Sequence, residues 1–306
     1  MEVWRGGVNA WECDEMGHMN VRFYLARASE GLAGLARVLG QPHAAAPHAA
    51  STLIVREHHV RFLREARAGA PLHMSAGVVE LGEAGATVLF SLTHSLSGEP
   101  CAAFLTRLEH ASAVEGRAFS WPERARAAAE RLRVQVPEHA RPRGLTSGPI
   151  GAGASMEAAD RLVLTCISRG VLGPDDCDVF GRMRPDQFAG RISDGIPVLL
   201  APVREIVAAN APEHPARVGG AVLEYRIVYL ASARVGDHFE VRSGFTRFGE
   251  KTEQVTHWML DPVGGGAWAV GQAVVINFDL DARRAIPITA AAHAALQPLV
   301  KPGLDG

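Results

Sequence analysis

Apolar positions along the chain fall into strand-like and helix-like runs, and the same order of runs occurs twice. Val3 to Trp11 is a short strand-like run. From Asn20 to Leu39, Phe23, Leu25, Leu32, Leu35 and Leu39 fall partly on a helical period, and Gly40 follows as a stop signal. Runs rich in Val, Leu and Phe at 52–63, 71–81, 86–97 and 101–112 predict four strands, separated by Gly-containing turns such as Gly82–Gly85 and Ser97-Gly98. The second half repeats the order. Leu162–Leu172 precedes a helix near 185–209, and strands follow near 219–231, 238–248, 252–261 and 267–279. One strand, one long helix and then four strands is an α+β pattern, which an antiparallel sheet with the helix across one face satisfies. Gly31, Gly34, Gly190 and Gly195 would be costly in an exposed helix. They predict a helix that a sheet wraps closely.

The two halves also share residues. Cys13, Asp14, Gly17, Met19, Arg27, Ser29 and Gly31 recur 164 residues later as Cys177, Asp178, Gly181, Met183, Arg191, Ser193 and Gly195. These are seven identities in nineteen ungapped positions, where chance gives about one. Glu30 is matched by Asp194. Farther on, Glu57, Phe62, Gly69, Gly77, Gly82 and Glu83 align with Glu224, Tyr229, Gly236, Gly244, Gly249 and Glu250 at an offset of 167. Three extra residues in a surface connection cost little. The organisation predicted is a domain over 1–115, a connecting segment over 116–159, a second domain over 160–282 and a tail over 283–306. Within the connection, 122–133 reads as a short surface helix with Pro at its first turn. Residues 137–153, rich in Pro, Gly, Ser and Arg, read as a solvated linker.

Composition narrows the classes of function. A net charge of −2 offers no electrostatic case for nucleic acid. No stretch approaches the ~20 apolar residues of a membrane span. The polar start (Glu2, Arg5, Asn9, Glu12) lacks a signal-peptide core, so a cytoplasmic location is expected. Four cysteines without a CxxC pair indicate neither a disulfide framework nor a zinc site. The histidines, His58 and His59 among them, lack metal-ligand spacing, and there is no Gly-x-Ser-x-Gly elbow.

The element order resembles the hotdog fold. The segment Asp14, Gly17, His18, Met19 and Asn20, followed by Phe23, Tyr24 and Leu25, resembles the start of the 4-hydroxybenzoyl-CoA-type acyl-CoA thioesterases. The resemblance covers both halves and implies two fused hotdog domains, each an antiparallel sheet around a long central helix. It is weaker in the second copy, which keeps Asp178 and Gly181 but has Arg182 and Arg184 in place of His18 and Asn20. It implies an acyl-CoA substrate, no cofactor, and a carboxylate at Asp14, and less strongly at Asp178, acting as nucleophile or general base.

Each candidate has a bland alternative. A lone Asp before a helix commonly satisfies backbone donors. The N–H groups of Gly17 and His18 are expected at the helix start, where they would polarise a carbonyl. His18 could hydrogen-bond a thioester or water. Asn20 reads as an N-cap first and a substrate contact second, because its counterpart Arg184 precedes Pro185. Glu30 is either a catalytic acid on the helix or the partner of Arg27. Tyr24, Gly181 and Arg182 complete the set as candidates for substrate contact. Cys13 and Cys177 read as small buried residues.

The expectation is an acyl-CoA thioester hydrolase that self-associates through exposed sheet edges. Rival readings are a hotdog hydratase, a non-catalytic acyl-CoA-binding module and an acyl-carrier-protein thioesterase. The hydratase resemblance needs four residues between Asp and His, and here there are three.

Overall fold

The first strand, β1 (Glu2–Gly7), ends sooner than the apolar run from Val3 to Trp11 predicts. Asn9 and Glu12 turn the chain instead. The Asn9 N–H donates to the Glu12 carboxylate at 2.9 Å, and the Glu12 N–H to the Asn9 carbonyl at 3.1 Å, which closes a 3₁₀ turn over Ala10–Glu12. In this computed structural model, residues 1–212 and 215–304 are described. Two compact units emerge. Unit 1 comprises Met1–Pro142 and Gly173–Ala189, and unit 2 comprises Arg143–Leu172 and Gly190–Gly306.

In unit 1, helix α1 (Val21–Val38) begins after Asn20, whose side chain accepts the Arg22 N–H at 3.0 Å. One face buries Tyr24, Leu25, Ala28, Gly31, Leu35 and Ala36, which is the helical period made physical. The other end stops at Gly40, which takes φ of +80° while Gln41 N–H returns to the Ala36 carbonyl at 2.8 Å. Four strands follow: β2 (Ser51–Phe62), β3 (Pro71–Leu81), β4 (Gly85–His94) and β5 (Pro100–Ser112). All pairs are antiparallel, in the order β1-β3-β4-β5-β2. Along β3, Leu72, Met74, Ala76 and Val78 point to the buried face at every second residue. A methyl group added at Gly34 would lie 2.1 Å from the Val3 carbonyl oxygen, and one at Gly31 would lie 2.5 Å from the Met74 sulfur. The helix lies directly on the first strand. That contact is why small residues stand there.

Helix α2 (Glu123–Glu130) buries Ala125, Ala128 and Ala129, and Pro122 precedes it rather than sitting in its first turn. Beyond it, Arg133 bridges Val78 in parallel and Val134 packs over Gly77.

Unit 2 repeats the plan. Short helix α3 (Met156–Arg161), capped by Ser155, leads into β6 (Thr165–Val171), and α4 (Pro185–Asn210) starts in unit 1 and continues into unit 2. Strands β7 (Val218–Tyr229), β8 (His238–Phe248), β9 (Glu253–Leu260) and β10 (Ala267–Asp279) order as β6-β8-β9-β10-β7, with the two-residue β11 (Arg284–Ala285) beside β10. Even the irregularities recur. Bulges fall at Val3 and Ile167, at Arg56 and Leu223, and at Val79 and Thr246, each pair at the repeat offset.

The repeat runs farther than residue identity shows. Helix α5 (Ala290–Leu296) stands 167 residues after α2, and Val300 bridges Phe245 in parallel as Arg133 bridges Val78. Gly244 receives Lys301 and Leu304 as Gly77 receives Val134. The stretch 283–306 is therefore folded over its described part rather than a plain tail. The linker expectation also needs correction. The N–H groups of Arg143 and Gly144 donate to the buried Glu224 carboxylate at 2.9 and 2.6 Å, and Arg226 donates to the Thr146 carbonyl at 2.9 Å. A segment that satisfies buried charges is held down, whatever its Pro and Gly content.

Candidate functional site

The shared motif folds into one loop, built twice. Cys13 and Met19 face each other across an antiparallel bridge, as do Cys177 and Met183. The Asp14 N–H donates to the His18 carbonyl at 2.8 Å, and the Gly17 N–H to the Asp14 carbonyl at 3.0 Å. In the second loop the Asp178 N–H meets the Arg182 carbonyl at 2.7 Å, and the Gly181 N–H the Asp178 carbonyl at 3.0 Å. Gly17 and Gly181 take φ of +76° and +74°, which a residue with a side chain adopts only at a cost. The repeated Gly is thus a requirement of the turn.

Within this loop each Asp organises its own backbone. Asp14 Oδ1 accepts the Met16 N–H at 2.9 Å and the His18 N–H at 3.3 Å. Asp178 Oδ1 accepts from Phe180 at 2.8 Å and Arg182 at 2.9 Å. The copies part at the second oxygen. Arg182 Nε donates to Asp178 Oδ2 at 3.2 Å, and its buried guanidinium lies over the Phe180 ring at 4.7 Å. Among the described residues, no donor falls on Asp14 Oδ2.

The Gly17 and His18 N–H groups are not helix-terminal donors, which corrects the sequence expectation. They close the loop, α1 begins only at Val21, and the Met19 and Asn20 N–H groups go to the carbonyls of Ala66 and Glu12 at 2.7 and 2.8 Å. Asn20 itself is the N-cap of α1, occupied with Arg22. His18 sits half-buried on the segment after β2. Its Nε2 is 3.0 Å from Glu65 Oε2, and Arg67 Nη2 approaches the same nitrogen at 3.4 Å.

Tyr24 does not line an open surface. Its ring meets Phe62 edge-on, its hydroxyl receives the Cys101 thiol at 3.7 Å, and burial pushes its ionisation far upward. The Cys101 thiol is likewise pushed up, to about 11, by burial. Glu30 is braced on both oxygens. Arg27 donates to Oε1 at 2.5 Å and the Trp4 indole to Oε2, while Arg27 also reaches the buried Glu12. Arg27 also lies over the Trp4 ring at 5.2 Å, and its counterpart Arg191 lies over the Phe239 ring at 5.4 Å.

Two residues that sequence reasoning passed over stand at the site. Glu65 carries no motif, and only its approach to His18 reveals it. Asp186, the counterpart of Arg22, is buried at the start of α4 between Arg184 at 3.1 Å and Arg22 at 3.9 Å, all within unit 1. Beside Glu65, unit 1 has an open groove of about 620 Å³ bordered by Arg64, Pro71, His94 and Leu96. Among the described residues, no group of three His, Cys, Asp or Glu side chains could hold a metal ion. No helix among them is long and apolar enough to cross a membrane.

Against known proteins, a family model described as thioesterase-like superfamily matches residues 8–129 and 172–296. The first match runs into α2 and the second to the end of α5. No curated protein sequence matches the chain. Among solved structures, one described as an oleoyl thioesterase from Lactobacillus plantarum superposes with a TM-score of 0.67 at 10% identity, over 89% of this chain and 94% of its own. The 12:0-ACP thioesterase from Umbellularia californica gives 0.64 at 11% identity, covering 90% and 93%. An acyl-ACP thioesterase from Bacteroides thetaiotaomicron gives 0.63 at 9%, covering 89% and 96%. At these identities the likeness is one of fold, and the shared fold is the two-domain hotdog.

Proposed function

The chain belongs to the thioesterase-like superfamily, and from that premise we propose that its first copy hydrolyses an acyl-CoA, giving the carboxylic acid and free CoA. The observation that carries this reading is the unequal pair of carboxylates. Asp14 keeps one oxygen clear of protein donors beside His18, whereas the matching oxygen of Asp178 is held by Arg182. A water between Asp14 and His18 would give its proton to Asp14 Oδ2 as its oxygen attacks the thioester carbon. The carbon–sulfur bond then breaks, and the thiolate leaves to be protonated as CoA-SH. General-base help of this kind contributes about 10²–10⁴ in rate. The positive end of α1 adds a favourable field for the negative charge that develops. Asp178, with its charge compensated by the guanidinium, is left with the structural task of holding its own loop.

The test is thiol release from a panel of acyl-CoAs by wild type, Asp14→Asn and Asp178→Asn. Asparagine keeps an oxygen for the Met16 and His18 N–H groups, so the loop should survive the change. Loss of about 100-fold or more in Asp14→Asn, with Asp178→Asn close to wild type, is the expected result. Ligand binding without thiol release from any substrate would remove the hydrolase reading.

A second reading concerns the thiol carrier. Two structures that superpose over about the whole chain bear the names of acyl-carrier-protein thioesterases. The same assay with acyl-carrier-protein thioesters separates the carriers, and a strong preference for them would replace CoA in the proposal.

A further inference from the structure

We infer that Glu65 is a positioning residue for His18, selecting the ring nitrogen that faces the reacting water; the inference rests on the thioesterase reading above. The geometry is local and well anchored. His18 pairs through its backbone with Arg67, and the Met19 N–H donates to the Ala66 carbonyl at 2.7 Å, so loop and segment are tied together on either side of the side-chain contact. Glu65 is itself held: its carboxylate accepts Arg67 Nη2 at 3.2 Å, and its carbonyl oxygen lies 3.1 Å from His94 Nε2.

The shorter contact favours one tautomer, because the Arg67 Nη2 beside the same ring nitrogen has the Glu65 carboxylate to donate to at 3.2 Å. His18 Nε2 lies 3.0 Å from a carboxylate oxygen and 3.4 Å from a guanidinium nitrogen. A carboxylate offers only lone pairs, so a bare Nε2 there would set lone pair against lone pair. An Nε2–H donates to Glu65 and turns that repulsion into a charge-assisted hydrogen bond. In the neutral ring, Nδ1 is then left as the acceptor, free to take a hydrogen bond from the attacking water and so orient it while its other proton goes to Asp14 Oδ2. The charged groups facing the ring are Glu65 and Arg67, with Asp14 reaching the His18 backbone.

The second copy supplies an internal control. Where His18 becomes Arg182, the position 167 residues after Glu65 is Ser232, so the acid is lost together with its histidine. Arg67, by contrast, persists as Arg234. An acid needed to neutralise this arginine would have stayed with it. One needed for the histidine would go, as it has.

The experiment combines kinetics with nitrogen-detected NMR of the histidine rings in the full chain, using Glu65→Ala and Glu65→Gln, with His18→Gln to assign the signal. Expected for Glu65→Ala is a loss of about tenfold or more in kcat with KM within about twofold, and a His18 signal that moves from the Nε2–H form to a mixture of tautomers. Glu65→Gln keeps an acceptor for Nε2–H and should recover both. Glu65→Ala with kcat and tautomer of wild type overturns the inference. So does an equal loss in both variants with an unchanged tautomer. Failure of the thioesterase reading looks different: wild type would then release no thiol from any substrate, or Asp14→Asn and His18→Gln would leave its release untouched.

Discussion

Asp14 and Asp178 share a loop, a bond pattern and a left-handed glycine, and differ in the one neighbour that reaches their second oxygen. A single residue, His18 or Arg182, therefore divides a clear carboxylate from a compensated one. Buried titratable groups elsewhere give this chain a distinctive response to pH. Burial raises Glu253 to about 7, against the hydrogen bond from Asn277 and the nearby charge of Arg204. Its contribution to stability is present below pH 4.5 and is lost as pH rises to about 7. Burial lowers His58 and His257 to about 3, so their contribution is present above pH 6.5 and is lost as acid is added toward pH 3. Unfolding of Glu253→Gln in urea should show its stability relative to wild type improving between pH 4.5 and 7 by at most about 3 kcal/mol. A flat difference would remove the assignment. His257→Phe, which borrows the residue of the equivalent position Phe90, should shrink the loss of stability between pH 7 and pH 5. His257 Nδ1 lies 2.7 Å from the buried Ser243 hydroxyl, so the variant loses that hydrogen bond at every pH.

At the scale of elements, the helix–strand contact is made by a different glycine in each unit. Gly34 meets the Val3 carbonyl, while Gly195, the counterpart of Gly31, meets the carbonyl of Ile167, the counterpart of Val3. The closest approach has moved by about one helical turn, and Val198, which aligns with Gly34, is exposed. Gly34→Ala or Gly195→Ala should each cost about 3 kcal/mol, because the obstacle is backbone that cannot swing aside. Gly17→Ala meets nothing within 4 Å and should cost about 1–2 kcal/mol through its φ alone. Urea midpoints that reverse this order would contradict the packing described. The late helix α5 makes a parallel case. Leu296 is buried, as is its counterpart Ala129 in α2. Leu296→Ala should lower stability by about 2–5 kcal/mol, a result no free tail would give.

For the molecule as a whole, duplication of the fold has outlasted duplication of the site. Bulges, loop conformations and closing helices recur in both copies of the repeat, yet the His18–Glu65 pair has no counterpart at Arg182 and Ser232. A non-hydrolysable thioether analogue of a bound acyl-CoA should therefore titrate with one site per chain by calorimetry. Two equal sites would restore Asp178 to a functional role and count against the part given to Arg182.

Periodicity and the repeat were enough to determine the α+β class, the two long helices and the strands β2 to β5 and β7 to β10, because these are local patterns of apolar spacing and glycine turns. They also determined that Asp14 and Asp178 share an environment, since seven identities in one loop require one conformation. They stopped short where identity does not record shape. Helices α2 and α5 share little beyond alanine, and their equivalence shows only in where the chain after them lands, on Gly77 and Gly244. The stretch at 143–147 looked like linker because composition reports chain stiffness and not the buried Glu224 and Arg226 that hold it. Tertiary structure alone decided that the Gly17 and His18 N–H groups close a loop onto Asp14, that both oxygens of Glu30 are engaged, and that Glu65, 47 residues beyond His18 in the chain, stands against its imidazole. Hydrogen bonds between residues distant in sequence carry no periodicity, so only the folded chain brings them into view.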